Sequence, residues 1–374
     1  MTQWFIGDLL TGNVSTFLQP QSGSWETTIN EAGSLSITVT LRDPDVRMLN
    51  LPNAATVGKS YLAVAENDTI MNAGPIWQHQ YSKDDGTLQL TASGMWSYFD
   101  HRVLLPVLAA GQTPLDVETY YENVSLQTIA KRLVQQAQQH TNGNVPVILP
   151  AEVAGTETRE YQGADLSLVG DALEDLTSVE NGPEIDFMPR WRADRLGIEW
   201  LMRVGTPSAP QLSSQSTYVW DYSTRQPSIK GLTVTRNGSR VTGRGWAASG
   251  SSSDATMFST YTNSSLLNQG YPLLEVVEAS RSTDEQSELD AYVRELARVG
   301  SKPTEFWSFE VQADQSPLVG EYSKGDYCAI KMRGDYYIPD SPPDGYRRRI
   351  TNLSGDHDGK WIKVTTGEVY SLNG

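Results

Sequence analysis

Apolar and polar residues alternate with a period of two through much of the first hundred positions. In "GSLSITVTL" Leu35, Ile37, Val39 and Leu41 fall on one face, the mark of a strand with one side buried. The same alternation sets Leu88 and Leu90 against Gln89 and Thr91 in "GTLQLTAS". Turn signals separate such runs at Thr11-Gly12-Asn13, at Asn67-Asp68 and at Asp84-Asp85-Gly86. Five or so strands at regular spacing predict an all-β unit, a sandwich or barrel. After Gly94 the period breaks into a dense knot, with Trp96, Tyr98, Phe99 and His101 inside six positions. At a strand end such a cluster more often plugs the open end of a small barrel than forms a ligand site.

From about residue 107 the pattern changes. "SLQTIAKRLVQQAQQH" places Leu126, Ile129, Ala130, Leu133, Val134 and Ala137 at helical spacing behind the cap Ser125. A second helix is expected in "ADLSLVGDALEDLTSVENG", with Asp165 as cap and Asn181-Gly182 as stop. "EIDFMPRWR" and "LGIEWLMRV" then predict a hairpin around Ala193-Asp194. The segment 108–214 thus reads as α+β, inserted into a β protein. Beyond a Pro/Ser-rich linker, a hairpin is expected through Asn237-Gly238, and a third helix, capped by Ser282 or Thr283, ends at Gly300. At least four more strands follow, so a second β unit closes the chain.

Composition narrows the function classes. A chain of 374 residues exceeds one ordinary core, and 38% hydrophobic with 20% charged residues describes a soluble globular protein. No 18-residue apolar run occurs, so no membrane insertion is expected. "MTQWFIGDLLTGNV" lacks the form of a signal peptide, and a lone Cys328 excludes an internal disulfide; both fit a protein made and used without export. With 29 basic against 45 acidic residues, the formal charge of −16 repels a polyphosphate backbone. Sequence-specific nucleic-acid binding is not expected, whereas passage of DNA through an acidic lumen is allowed.

The search for chemistry is empty. His79, His101, His140 and His357 have no partner at diagnostic spacing, and Cys328 sits in an alternating strand with no assignable base. "GDHDG" lacks the alternating ligands of a calcium loop, and the tripeptide at Arg333–Asp335 reads as a turn. Glu174, Asp175, Glu184 and Asp186 offer carboxylate pairs, though such pairs are common among 45 acids. Ten tryptophans and seventeen tyrosines could build sugar platforms, and Trp191 and Trp200 flank the hairpin of the 190s. No catalytic, cofactor-binding or metal-ligating residue is assigned, and no cofactor is expected.

Three stretches taken in order carry a resemblance: "SGSWETTINEAGSLSITVTL", "NAGPIWQHQYSKDDGTLQLTASGMWSYFDHRVL", and, near the end, "YPLLEVVEASRST" with "VGEYSKGDYCAIKM" and "RRRITNLS". Together they resemble the tail hub proteins of long-tailed bacteriophages (siphoviruses), the minor tail or baseplate hub proteins of the actinobacteriophage type. The resemblance implies a mainly β fold with an α+β insertion: two phage-tube-type β-barrels plus a peripheral α/β domain. Residues 1–107 would form the first barrel, completed by 215–235; 108–214 would be the inserted domain; 236–374 would form the second barrel with one helix. It further implies a homotrimer at the distal end of the virion tail, assembled in the host cytoplasm. That ring would dock the distal tail protein ring on one side and a central fibre or other minor tail proteins on the other. DNA and the tape measure protein would pass through it. Family members often carry long C-terminal extensions with fibre or wall-degrading domains, and no such extension follows the last strand here, so no enzymatic role is expected. The alternative reading is a tail module that binds host surface carbohydrate or degrades cell wall. A tail-tube or capsid-completion protein is a third.

Overall fold

The computed structural model describes residues 2–179, 182–249, 257–281 and 286–368. It is mainly β. The chain divides into two compact units, one of Met1–Leu232 with Ser308–Val369 and one built on Thr233–Trp307.

The first unit opens with β1 (Thr2–Asp8), β2 (Val14–Leu18), β3 (Ser22–Thr28) and β4 (Ser34–Thr40). Two short helices, α1 (Pro44–Met48) and α2 (Leu51–Ala54), lead to β5 (Ser60–Glu66), β6 (Thr69–Ser82) and β7 (Thr87–Ser93). The expected alternation holds in β4, where Leu35, Ile37 and Val39 are buried. The Asn67-Asp68 turn between β5 and β6 has positive φ at both positions (47° and 71°), which a two-residue hairpin loop of the I′ type requires. At the β1–β2 turn Gly12 has φ +71°, and an added Cβ would lie 2.2 Å from the Ile198 carbonyl oxygen, so only glycine fits.

The aromatic knot folds as a single turn, α3 (Trp96–Phe99). After it come β8 (Glu118–Val124), α4 (Leu126–Gln138), β9 (Val147–Ile148), β10 (Glu157–Gln162), α5 (Val169–Thr177), β11 (Ile185–Trp191) and β12 (Ile198–Val204). Ser125 caps α4 as expected, its side chain accepting from the Thr128 amide at 3.2 Å. The second helix starts later than expected: residues 163–165 form a 3₁₀ turn and Leu168 occupies the N-cap without a side-chain bond. The expected stop at Asn181 lies outside the described residues. β11 and β12 form the expected antiparallel hairpin, and β9 adds in parallel to β12.

This α+β segment does not keep a core to itself. Ile129, Leu133 and Val134 of α4, with Leu173 of α5, belong to the same buried cluster as Phe5, Tyr61 and Ala73 of the N-terminal strands. Helices with one apolar stripe must bury it against another layer: α4 packs on α5, β8 and β12, and contacts of α3 and β11 with β6 carry the cluster on to the N-terminal strands.

The remaining strands are β13 (Thr217–Asp221), β14 (Ile229–Asn237), β15 (Arg244–Ser249), β16 (Phe258–Thr262), β17 (Glu275–Arg281), β18 (Thr304–Gln312), β19 (Tyr327–Lys331), β20 (Tyr346–Asp356) and β21 (Trp361–Gly367). Thirteen strands form one sheet in the order β14-β18-β21-β20-β3-β4-β7-β6-β5-β1-β2, with β19 also on β20 and β13 on β19. The N-terminal and C-terminal groups join where β20 pairs antiparallel with β3, from Asn352 opposite Thr28 to Asp356 opposite Ser24. The Asn352 amide ties the seam by donating to Glu26 Oε1 at 2.5 Å and Thr28 Oγ1 at 2.8 Å.

Two expectations are corrected by this pairing. Segment 215–235 does not rejoin the N-terminal strands: β13 pairs in parallel with β19, from Thr217 opposite Tyr327 to Asp221 opposite Lys331, and β14 lies beside β18. Nor does Asn237-Gly238 join a hairpin, because β15 enters a separate three-stranded sheet, β16-β15-β17. That sheet and the helices α6 (Ser264–Asn268) and α7 (Gln286–Val299) make up the second unit, so 236–374 is not one continuous module. Ala247 of β15 packs on Leu289 and Val293 of α7, which supplies the reason β15 sits there. The expected caps of α7, Ser282 and Thr283, lie outside the described residues, and Gly300 follows its end.

The shared core predicts cooperative behaviour. Leu133→Ala empties a fully buried position and should cost about 2–5 kcal/mol. In denaturant titrations, tryptophan fluorescence and far-ultraviolet circular dichroism should shift together for the first unit. A separate transition of the α+β segment, leaving the N-terminal strands folded, would contradict the common core.

Candidate functional site: a buried ion network beside an apolar cavity

The residues singled out for chemistry are scattered, and most have a structural occupation. His79 lies on β6, where burial lowers its imidazole pKa against the opposing effect of a hydrogen bond to the Ala55 backbone. The His101 ring packs 4.4 Å from Trp77, and His140 Nε2 meets the Leu105 carbonyl oxygen at 2.8 Å. His357 is exposed in the turn between β20 and β21. Cys328 is buried, and burial pushes its thiol pKa up despite the Arg348 charge nearby. No group of three or more metal-ligating side chains occurs among the described residues.

Trp96 and Phe99 of the aromatic knot are core, whereas Tyr98 is half-buried and His101 exposed. Phe99 stacks on Phe187 at 5.0 Å and Trp96 meets the same ring edge-on at 5.9 Å. Of the two tryptophans of the sugar platform, Trp200 is lost to the core and Trp191 is half-buried. Trp200 is fully buried with Nε1 donating to the Ala73 carbonyl at 2.9 Å, and Trp191 stacks on Phe5 at 4.8 Å.

Of the four acids, Glu174 and Asp175 are exposed on α5, whereas Glu184 and Asp186 are consumed by ion pairs. Glu184 stands immediately before β11 and Asp186 is its second residue. Glu184 receives Arg349 in a two-pronged pair, Nη1 to Oε1 and Nη2 to Oε2 each at 2.5 Å, and also accepts from the Leu212 amide. Arg349 donates further to the carbonyls of Gly325 and Leu212. Asp186 faces Arg203 across the β11–β12 ladder. One of its oxygens accepts from Arg203 Nη2 at 2.6 Å and Nε at 3.2 Å; the other pairs with Lys324 Nζ at 2.8 Å. Lys324 also donates to the Thr28 carbonyl, and Asp326 fixes the lysine's loop by accepting from the Ser214 and Ser323 amides. Burial alone would push the Asp186 carboxyl up, but the charges of Lys324 and Arg203 outweigh it and hold the pKa below the usual range.

Beside Asp186 opens a cavity of about 260 Å³, walled by Met71, Met95, Trp96, Phe187, Met188 and Trp191. Lys324, Arg203 and Tyr322 border it too. Sequence reasoning named Glu184 and Asp186 but missed their partners. The available signals were an acid alternating with an acid in a strand, and the run Arg347–Arg349 in another.

This arrangement of a thirteen-stranded sheet with helices packed on its N-terminal half is a known fold. The sequence matches no protein-family model and no curated protein. Solved structures do match over nearly the whole chain. The 43 kDa tail protein of prophage MuSo2 from Shewanella oneidensis aligns with a TM-score of 0.59 at 9% identity, covering 98% of each chain. The tail protein from Neisseria meningitidis MC58 aligns with a TM-score of 0.58 at 12% identity, covering 98% of this chain and 96% of that one. The fold of this chain is therefore that of phage tail proteins.

The network predicts an acid-sensitive stability. Asp186→Asn leaves two cations without a counter-charge and should cost about 3–5 kcal/mol at neutral pH. Because the native carboxyl is held low, its contribution is complete above the ordinary aspartate value near pH 4. It is lost as pH falls through the native value. Denaturant titrations of the wild type across that window should show this loss, and the variant should not.

Proposed function

We propose that the chain is a structural tail hub protein of a long-tailed phage and not an enzyme. One observation carries the reading: two tail proteins, one of them from a prophage, share its fold over 98% of its length. The sheet supports it, since its N-terminal group, β1–β7, and its C-terminal group, with β13, β14 and β18–β21, meet at the β3–β20 seam. We read these groups as two tube-type barrels, which three copies would present as six walls around a channel. Rings that close by repeating one heterologous contact need surface complementarity and no reactive side chain.

In this reading the homotrimer sits at the distal end of the virion tail after assembly in the host cytoplasm. It joins the distal tail protein ring to a central fibre or other minor tail proteins. The acid excess, a formal charge of −16, suits a bore through which DNA and the tape measure protein pass without adhering.

The assembled mass tests the reading. Native mass spectrometry of the full chain should give a particle at three times the 41.3 kDa chain mass. A stable monomer, or a six-fold ring, would overturn it.

A further inference from the structure

We propose that the cavity beside Asp186 binds an organic carboxylate carried on an apolar body. Charge counting comes first. Two cations, Lys324 and Arg203, share the single carboxylate of Asp186 on the cavity wall. The other charged residues around the cavity leave this imbalance standing: Asp68 is paired with Arg195, Arg190 with Glu199, and Glu31 is exposed to water, which screens it. Lys324 is only 12% exposed and Arg203 26%, so the surplus positive charge sits where solvent compensates it poorly.

Donors exceed acceptors in the same way. Arg203 uses Nε and Nη2 on one oxygen of Asp186, and its Nη1 meets no acceptor among the described residues. Lys324 uses two of its three N–H groups, on Asp186 and on the Thr28 carbonyl. Tyr322 borders the cavity, and its hydroxyl is buried without a partner among the described residues. A carboxylate supplies the missing negative charge and several acceptor sites at once. The rest of the wall selects the body of the ligand: aromatic rings of Trp96, Phe187 and Trp191, and three methionines whose unbranched side chains adapt to irregular shapes.

That chemistry has two sources, a free medium-chain fatty acid or the C-terminus of a polypeptide ending in an apolar residue. Titration calorimetry on the full chain distinguishes them with two probe pairs: decanoate against decanol, and N-acetyl-Phe-Leu against its C-terminal amide. One or both carboxylates should bind with a stoichiometry of one per chain, at least about tenfold tighter than the uncharged counterpart. The pair that shows the preference names the source. Lys324→Met should fold, because Asp186 keeps Arg203, and should lose the preference for the carboxylate. Arg203→Met, which leaves Lys324 on Asp186, should weaken it likewise. Absence of binding by both carboxylates, equal binding of the uncharged probes, or a preference surviving both substitutions would overturn the assignment.

Discussion

The structure depends on ion pairs that fasten β11 to the C-terminal part of the chain. Glu184 and Asp186 lie early in the β11–β12 hairpin, and their partners Arg349 and Lys324 come from β20 and the loop before β19. No apolar contact could replace this without loss of direction, since a two-pronged guanidinium–carboxylate pair fixes angle as well as distance. The desolvation of four charges is offset by dense hydrogen bonding: Arg349 also serves two carbonyls, and Lys324 one. Burying ions is poor economy for stability alone. Here it links the β11–β12 hairpin to a strand of a different sheet, β20, and to the loop before β19.

Local signals in the sequence announced local structure well. Turn residues with positive φ at Gly12, Asn67, Asp68 and Gly86 stand where the residue types placed them, because turn chemistry is decided within four residues. The α4 stripe and its Ser125 cap were legible for the same reason. What failed was pairing at a distance. The Asn237-Gly238 dipeptide makes a turn, with the Asn237 side chain accepting from the Ser239 amide. Yet the strands on either side go to different sheets, because the packing of Ala247 on α7 draws β15 away. Segment 215–235 was likewise misplaced, since a five-residue strand such as β13 carries no mark of the parallel partner it will take.

The site was half legible. A strand with acids two apart shows which face is polar, but it does not reveal that the face will be buried against cations from far downstream. The reading of the aromatic knot as core holds for Trp96 and Phe99, whereas Tyr98 is half-buried and His101 exposed. The knot's true partner, Phe187, lies some ninety residues on and could not be foreseen.

The β3–β20 seam bears on how the protein is born. Asn352 and Glu26, which clasp it, are 326 residues apart. During synthesis β3 therefore waits, with one edge bare, until the chain has emerged as far as β20. A prematurely terminated copy exposes that edge for good. Arrival of β20 thus becomes a checkpoint written into the hydrogen bonding of a single strand.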